Sequence, residues 1–267
     1  MTVEEYAAAQ AAISRDLVAD VLPTAYDFQA PQLTFSTWLQ FLELIFPFVV
    51  RARKRSAELG RRFYDKQRED HNPDTPRHDI FLAEYLFEWF VEAMEPARAE
   101  FAKPGASEHA ADRIALRAMK ETENAGRRTI LRAVDTDDPK IAVGWARVAT
   151  GRETCGFCMM LVSRGPVYRN AASAGLDASD TEAQELLDRG DDAAIAALMT
   201  RWHEGWDCKV VPVFDRAGWP GRDAHKRAEA IWKKTTKGQK NNRDAMNAFR
   251  RAIERGDVDL RAMTIAA

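Results

Sequence analysis

Cys155 and Cys158 sit in the string TCGFC, and His203 and Cys208 sit in WHEGWDC. Two thiols with two residues between them can be aimed at one point by a tight turn, and Gly156 eases that turn. Together with His203 and Cys208 they make a Cys3His set, the ligands of a closed, tetrahedral, structural zinc site. Three thiolates on a divalent ion leave one net negative charge, which Lys209 with Arg152 or Arg164 can offset. The His203 to Cys208 step is a little wider than in the usual finger. Two other readings stand beside zinc on the residues alone. Free cysteines are among the most buried residue types, so the cluster can be core packing, with His203 held between Trp202 and Trp206. CGFC running into MMLV also has the form of a dithiol at a helix N-terminus, where the helix dipole lowers a thiol pKa. The βαβ pattern that a thioredoxin fold requires before it is missing.

Other catalytic constellations are weaker. His203 and Glu204 begin a string like HExxH, but Asp207 holds the fifth position, and no second histidine lies one helical turn on. Ser163, before Arg164 and Gly165, is a conceivable nucleophile with His203 as its base, yet no GxSxG elbow surrounds it. Cys155 or Cys158 with His203 would form a thiol–imidazole dyad, which excludes a closed zinc site on the same atoms. No P-loop and no GxGxxG occurs. His71, His78, His109 and His225 are scattered among polar neighbours and read as solvated side chains rather than ligands.

The elements that must position these residues come from composition and periodicity. The chain has 267 residues, 46% hydrophobic and 30% charged, with a net charge of -2 and three cysteines. That profile belongs to soluble globular proteins and argues against a disulfide framework, disorder or a collagenous repeat. The start, MTVEEYAAAQ, is acidic and lacks the form of a signal or transit peptide. The apolar run 41–50 contains Glu43 and Pro47 and falls short of the ~20 residues of a membrane span; it reads as a buried core helix.

Apolar spacing predicts a helix over 3–22 ending near Pro23, a linker over 23–34, and a second helix from about Ser36, capped by its hydroxyl and kinked at Pro47. Residues 70–78 read as a loop, 80–101 as an aromatic-rich helix packed on more than one side, and 107–134 as a fourth helix. The texture changes after Asp135, where glycines, β-branched residues and cysteines cluster. A helix is predicted over 181–202 and a strand that suits a sheet edge over 209–214. The fold class is thus mainly α: a helical domain over 1–135, a small α+β cysteine domain over 136–221, and a basic helical tail over 222–267. Residues 222–255 hold eleven Lys and Arg against four Asp and Glu.

The strings NAGRRTILRAVDTD from Asn124, WARVATGRETCGFCMMLVSRGPVYRNAASAG and WHEGWDCKVVPVF resemble the cysteine-containing core of the MuF-like head morphogenesis (minor capsid) proteins of tailed bacteriophages. The matching positions are Cys155, Phe157, Cys158, Leu161, Ser163, Arg164, Gly165, Pro166, Val167, Tyr168, His203, Cys208, Pro212, Val213 and Phe214. The chain departs from the family's frequent His-x-x-Cys-x-Cys ending, and Asp207 is an alternative ligand there. The helical half is similar to a subgroup from phages of actinobacterial hosts commonly labelled capsid maturation protease.

The resemblance implies a virion-assembly protein carried in the procapsid interior after synthesis in the host cytoplasm. Its helical half would dock at the portal and meet scaffold and major capsid protein. Zinc would be held by Cys155, Cys158, His203 and Cys208. The alternative it implies is a protease that cleaves scaffold or capsid precursors, with Ser163 and His203 as the residues to test. The basic tail adds packaged DNA as a possible partner, and no membrane partner is expected. A nuclease or toxin-like reading lacks an acidic metal-binding set.

Overall fold

Thr2 and Thr34 open the first two helices in the same way. Each side chain accepts from the backbone N–H three residues on, and Glu5 and Thr37 return a bond to the cap backbone. The computed structural model describes residues 1–28, 34–80, 84–101, 109–150, 156–166, 208–240 and 242–265. Helix α1 spans Val3–Asp27, α2 Phe35–His71, α3 Phe87–Phe101 and α4 His109–Thr136. Strand β1 is Gly144–Ala149, α5 Gly156–Ser163, β2 Cys208–Val213, α6 Arg222–Thr235 and α7 Asn242–Glu254. A short 3-10 turn, Arg261–Met263, follows. The architecture is mainly helical, with one small antiparallel ladder among the described residues.

Several boundaries differ from the sequence reading, each for a local reason. Helix α1 runs through Pro23 to Asp27, because Val21 and Ala25 continue its buried stripe and packing outweighs one lost backbone bond. The cap of α2 is Thr34, not Ser36, and the helix is continuous across Pro47 as far as His71. Helix α3 begins at Phe87, seven residues later than the density of aromatic residues suggests. The predicted helix over 181–202 lies outside the described residues.

Helices α1, α2 and α4 pack on one another around Tyr6, Leu17, Trp38, Phe41, Phe63 and Ile130, all essentially buried. The first half of α2 is long and apolar enough to pass for a membrane span. In the fold, Trp38, Phe41, Leu42, Ile45 and Val49 are covered by protein, while Phe35 and Leu44 stay exposed. Its second half carries Arg53 and Arg68, both buried in ion pairs.

At the crossing of α2 and α4 the backbones nearly touch. A Cβ on Gly60 would lie 2.6 Å from the Gly126 carbonyl oxygen. The Gly126 N–H donates to Ser56 Oγ at 3.1 Å, and Ser56 in turn donates to Gln10 on α1 at 2.8 Å.

The ladder pairs Gly144 with Val213 and Ala149 with Cys208. Every residue in both strands is buried, because α4 covers the ladder and α5 packs against β1. One core cluster runs from Val3 through the ladder to Trp219, so the helical half and the ladder share an interior. The end of α2 is fixed to this region by Phe214, which stacks on His71 and packs at a tilt against Tyr64. The tail closes a second cluster, in which Phe249, Ala252 and Met263 meet Met159 and Val162 of α5.

Candidate functional site

Cys158 lies within α5, and Cys208 is the first residue of β2. Fifty residues separate them in sequence, yet both are buried, unbridged thiols in hydrogen-bonding contact. Helix α5 is almost wholly apolar and packs its Met159, Leu161 and Val162 inward, which carries Cys158 to the end of the ladder. It stops at Gly165, whose φ of +63° suits glycine and whose N–H bonds back to the Val162 carbonyl. The His225 ring fills the space that a Cβ there would need.

The thiols sit against a buried positive region. Arg147 follows Cys208 around the ladder on the same face, its pair Val210 lying two residues from Cys208. Its Nη1 is 4.0 Å from the Cys208 sulfur. Arg127 and Lys209 approach from α4 and β2, and both bind the buried Glu123 carboxylate, at 2.6 and 3.4 Å. Ser14 of α1 donates to the other oxygen of Glu123 at 3.2 Å. Burial pushes the Cys208 thiol up. The Cys158 hydrogen bond and the charges of Arg147, Arg127 and Lys209 more than reverse this and bring it to about 7. These surroundings therefore ease deprotonation of Cys208 to the thiolate, the form that binds metal.

Of the sequence-predicted ligands, Cys158 and Cys208 are brought together, while Cys155 and His203 lie outside the described residues, as does Asp207. Among the described residues no group of three or more metal-binding side chains converges. Two buried thiols in contact beside cations fit half of a thiolate zinc site. Of the expected counter-charges, Lys209 is beside the thiols, Arg164 is exposed, and Arg152 lies outside the described residues. Arg147 and Arg127 were missed. An arginine between Ala146 and Val148 in a fully apolar strand is the signal that could have found the first of them.

Ser163 is buried, and its hydroxyl donates to the Met160 carbonyl at 2.6 Å, a bond within its own helix end. The imidazole seated beside this turn is His225, whose Nδ1 lies 3.1 Å from the Val162 carbonyl oxygen. His225 is half-buried and also packs on Trp219, so it supports the α5 turn. An open cleft of about 840 Å3 lies between the starts of α1 and α6 and the end of α2. It is lined in part by Asp70, His71, Arg222 and Asp223, and Cys158, Cys208 and Ser163 are not among its lining residues.

The comparisons with known proteins agree on one family. A family model described as VG15 protein matches residues 1–255. The Gene 15 protein of Mycobacterium phage L5 is 42% identical over 294 aligned positions that span both chains completely. The Gene 15 protein of Mycobacterium phage D29 is 40% identical over 259 positions, covering 90% of this chain and 94% of that one. No solved structure matches. With the family match spanning nearly the whole chain and both relatives aligned over nine tenths of it or more, the chain belongs to the VG15 protein family, a family of phage proteins.

Proposed function

We propose that this protein is a MuF-like minor head protein that acts in procapsid assembly and maturation at the portal and the head interior. Its work is done by docking, and its partners are the portal protein, the scaffold and the major capsid protein. The observation that carries the reading is the meeting of Cys158 and Cys208 across fifty residues, at the two places where the sequence resembles the MuF core. The phage origin of its relatives supports it.

Cys155, Cys158, His203 and Cys208 would hold one zinc ion, which would supply a structural cross-link between α5 and β2. Arg147, Arg127 and Lys209 ease deprotonation of Cys208 and would spread the negative charge of the ligand set. Both thiols are buried and Ser163 is committed to its helix end, an arrangement that suits a staple better than a nucleophile.

Two measurements test the reading. Mass spectrometry of purified procapsids should find the chain at a few copies per particle, and co-expression with the portal protein should yield a stable complex. Absence of the chain from procapsids would overturn the assembly role. Elemental analysis should give one zinc per chain, with zinc lost in Cys208→Ser. Metal-free protein of unchanged stability would overturn the zinc site and leave the assembly role to the first measurement.

A further inference from the structure

The tail carries a charge pattern that the assembly reading does not use. Residues 222–255 hold eleven of the chain's 39 Lys and Arg and four of its 41 Asp and Glu, so this stretch is net +7 and the rest of the chain is net −9. Charge of one sign gathered on one stretch of an acidic protein makes a local field of opposite sense.

Helix α6 organises that charge. Its Ala224 and Ala228 are buried, Ile231 and Trp232 are partly buried against the core, and Trp232 packs edge-on against Phe249 of α7. On a helix of 3.6 residues per turn, the side opposite those residues carries Lys226, Ala230 and Lys233, with Lys234 on its flank. All four are exposed. Lys237 and Lys240 extend the stripe through the exposed turn between α6 and α7. Asp223, exposed one turn before Lys226, and Glu229, bound to Lys233 at 2.6 Å, are the acidic neighbours on this face. The lysines of α6 span about 12 Å along the axis, and Ala230 between them leaves the face low enough for a phosphate backbone to approach.

We infer that the exposed lysine face formed by α6 and the α6–α7 turn binds the phosphodiester backbone of double-stranded DNA without regard to sequence. Lysines are mobile point charges without the planar fork that reads base edges, which suits backbone contact. A membrane surface would require the apolar side of α6 to face lipid, and that side is packed on the core. Four to five lysines contacting phosphates release counterions on binding, which makes affinity fall steeply with salt. The inference goes beyond the assembly role and does not depend on it, because a purified chain and a duplex are enough to test it.

The test is fluorescence anisotropy of a labelled random-sequence duplex of about 30 base pairs with the full-length chain, titrated from 50 to 200 mM salt. Binding at micromolar concentration is expected at the low end, with a log–log salt slope of about −4. Replacing Lys226, Lys233, Lys234 and Lys237 together by Gln should weaken binding at least tenfold and flatten the slope. The same exchange at Lys54, Arg55, Arg62 and Lys66, exposed on α2, should change it less than twofold. Circular dichroism should show both variants folded.

Equal loss in the two variants would overturn the assignment to this face, and no binding at 50 mM salt would overturn it altogether. Displacement of the duplex by polyglutamate at matched charge, as effective as by unlabelled DNA, would reassign the face to acidic protein surfaces. A chain found in procapsids that binds no duplex loses this inference alone.

Discussion

Asp137 is the residue on which the end of the helical half depends. Arg68 donates to it twice, from Nε at 2.6 Å and Nη2 at 3.2 Å, and the Tyr64 hydroxyl donates at 2.5 Å. Both Arg68 and Asp137 are buried. Removing one member leaves the other charge buried without its partner, and a break of that kind costs about 3–5 kcal/mol. Asp137→Ala should therefore lower the urea midpoint sharply, while Asp74→Ala, in the exposed loop after α2, should not.

The same carboxyl sets an acid limb. Burial would raise its pKa, and the bonds from Arg68 and Tyr64 more than offset that, holding it below the usual carboxylate range. The unfolded chain then takes up the proton first as pH falls. The stabilisation is complete above about pH 4 and is lost as pH drops through the folded-state pKa. Denaturation measured from pH 6 to pH 2 should be steeper for the native chain than for Asp137→Ala, and parallel curves would contradict the assignment. Nothing in TDDPK marks Asp137 as buried, because a turn-forming aspartate reads the same whether it faces water or an arginine on a distant helix. The thiols were legible for the opposite reason: their chemistry is written in local spacing.

At the scale of elements, the contact between α2 and α4 rests on two glycines. A methyl on Gly126 would meet Ser56 Oγ at 2.8 Å and the Ser56 carbonyl oxygen at 2.9 Å, and one on Gly60 would meet backbone. Backbone cannot swing aside as a side chain can, so the helices must separate. Gly126→Ala and Gly60→Ala should each cost about 1–3 kcal/mol, despite the better helix propensity of alanine. Urea titrations should show a lower midpoint at unchanged slope. If either variant were more stable, the helices would have to pack less closely than the geometry requires. Sequence could not reveal this, since a glycine within a helical pattern reads only as a weak position. What periodicity did reveal were the long amphipathic runs of α1, α2 and α4. It failed where a proline or aromatic cluster had to be weighed against packing from elsewhere in the chain, at Pro23 and at the start of α3.

At the scale of the whole molecule, the shared interior determines how metal removal would be felt. The core cluster that begins at Val3 includes Cys158, Cys208 and Val210, so the thiol site lies inside the same cooperative unit as the helices. A staple at the edge of an independent domain would give a separate, lower transition on chelation. Loss of the proposed zinc should instead lower one common transition, because the buried charges of Arg147, Lys209 and Arg127 would then face two unliganded thiols at the centre of the packing. Scanning calorimetry with and without a strong chelator should show a single endotherm that moves down by several degrees, as about 2 kcal/mol does for a chain of this size. Cys158→Ser should start at the lower temperature and no longer respond to chelator. Cys158→Ser with Cys208→Ser should be little worse than either alone, since each would already break the same proposed cross-link. Two separate endotherms, only one of them chelator-sensitive, would mean that the ladder folds apart from the helices despite the continuous core.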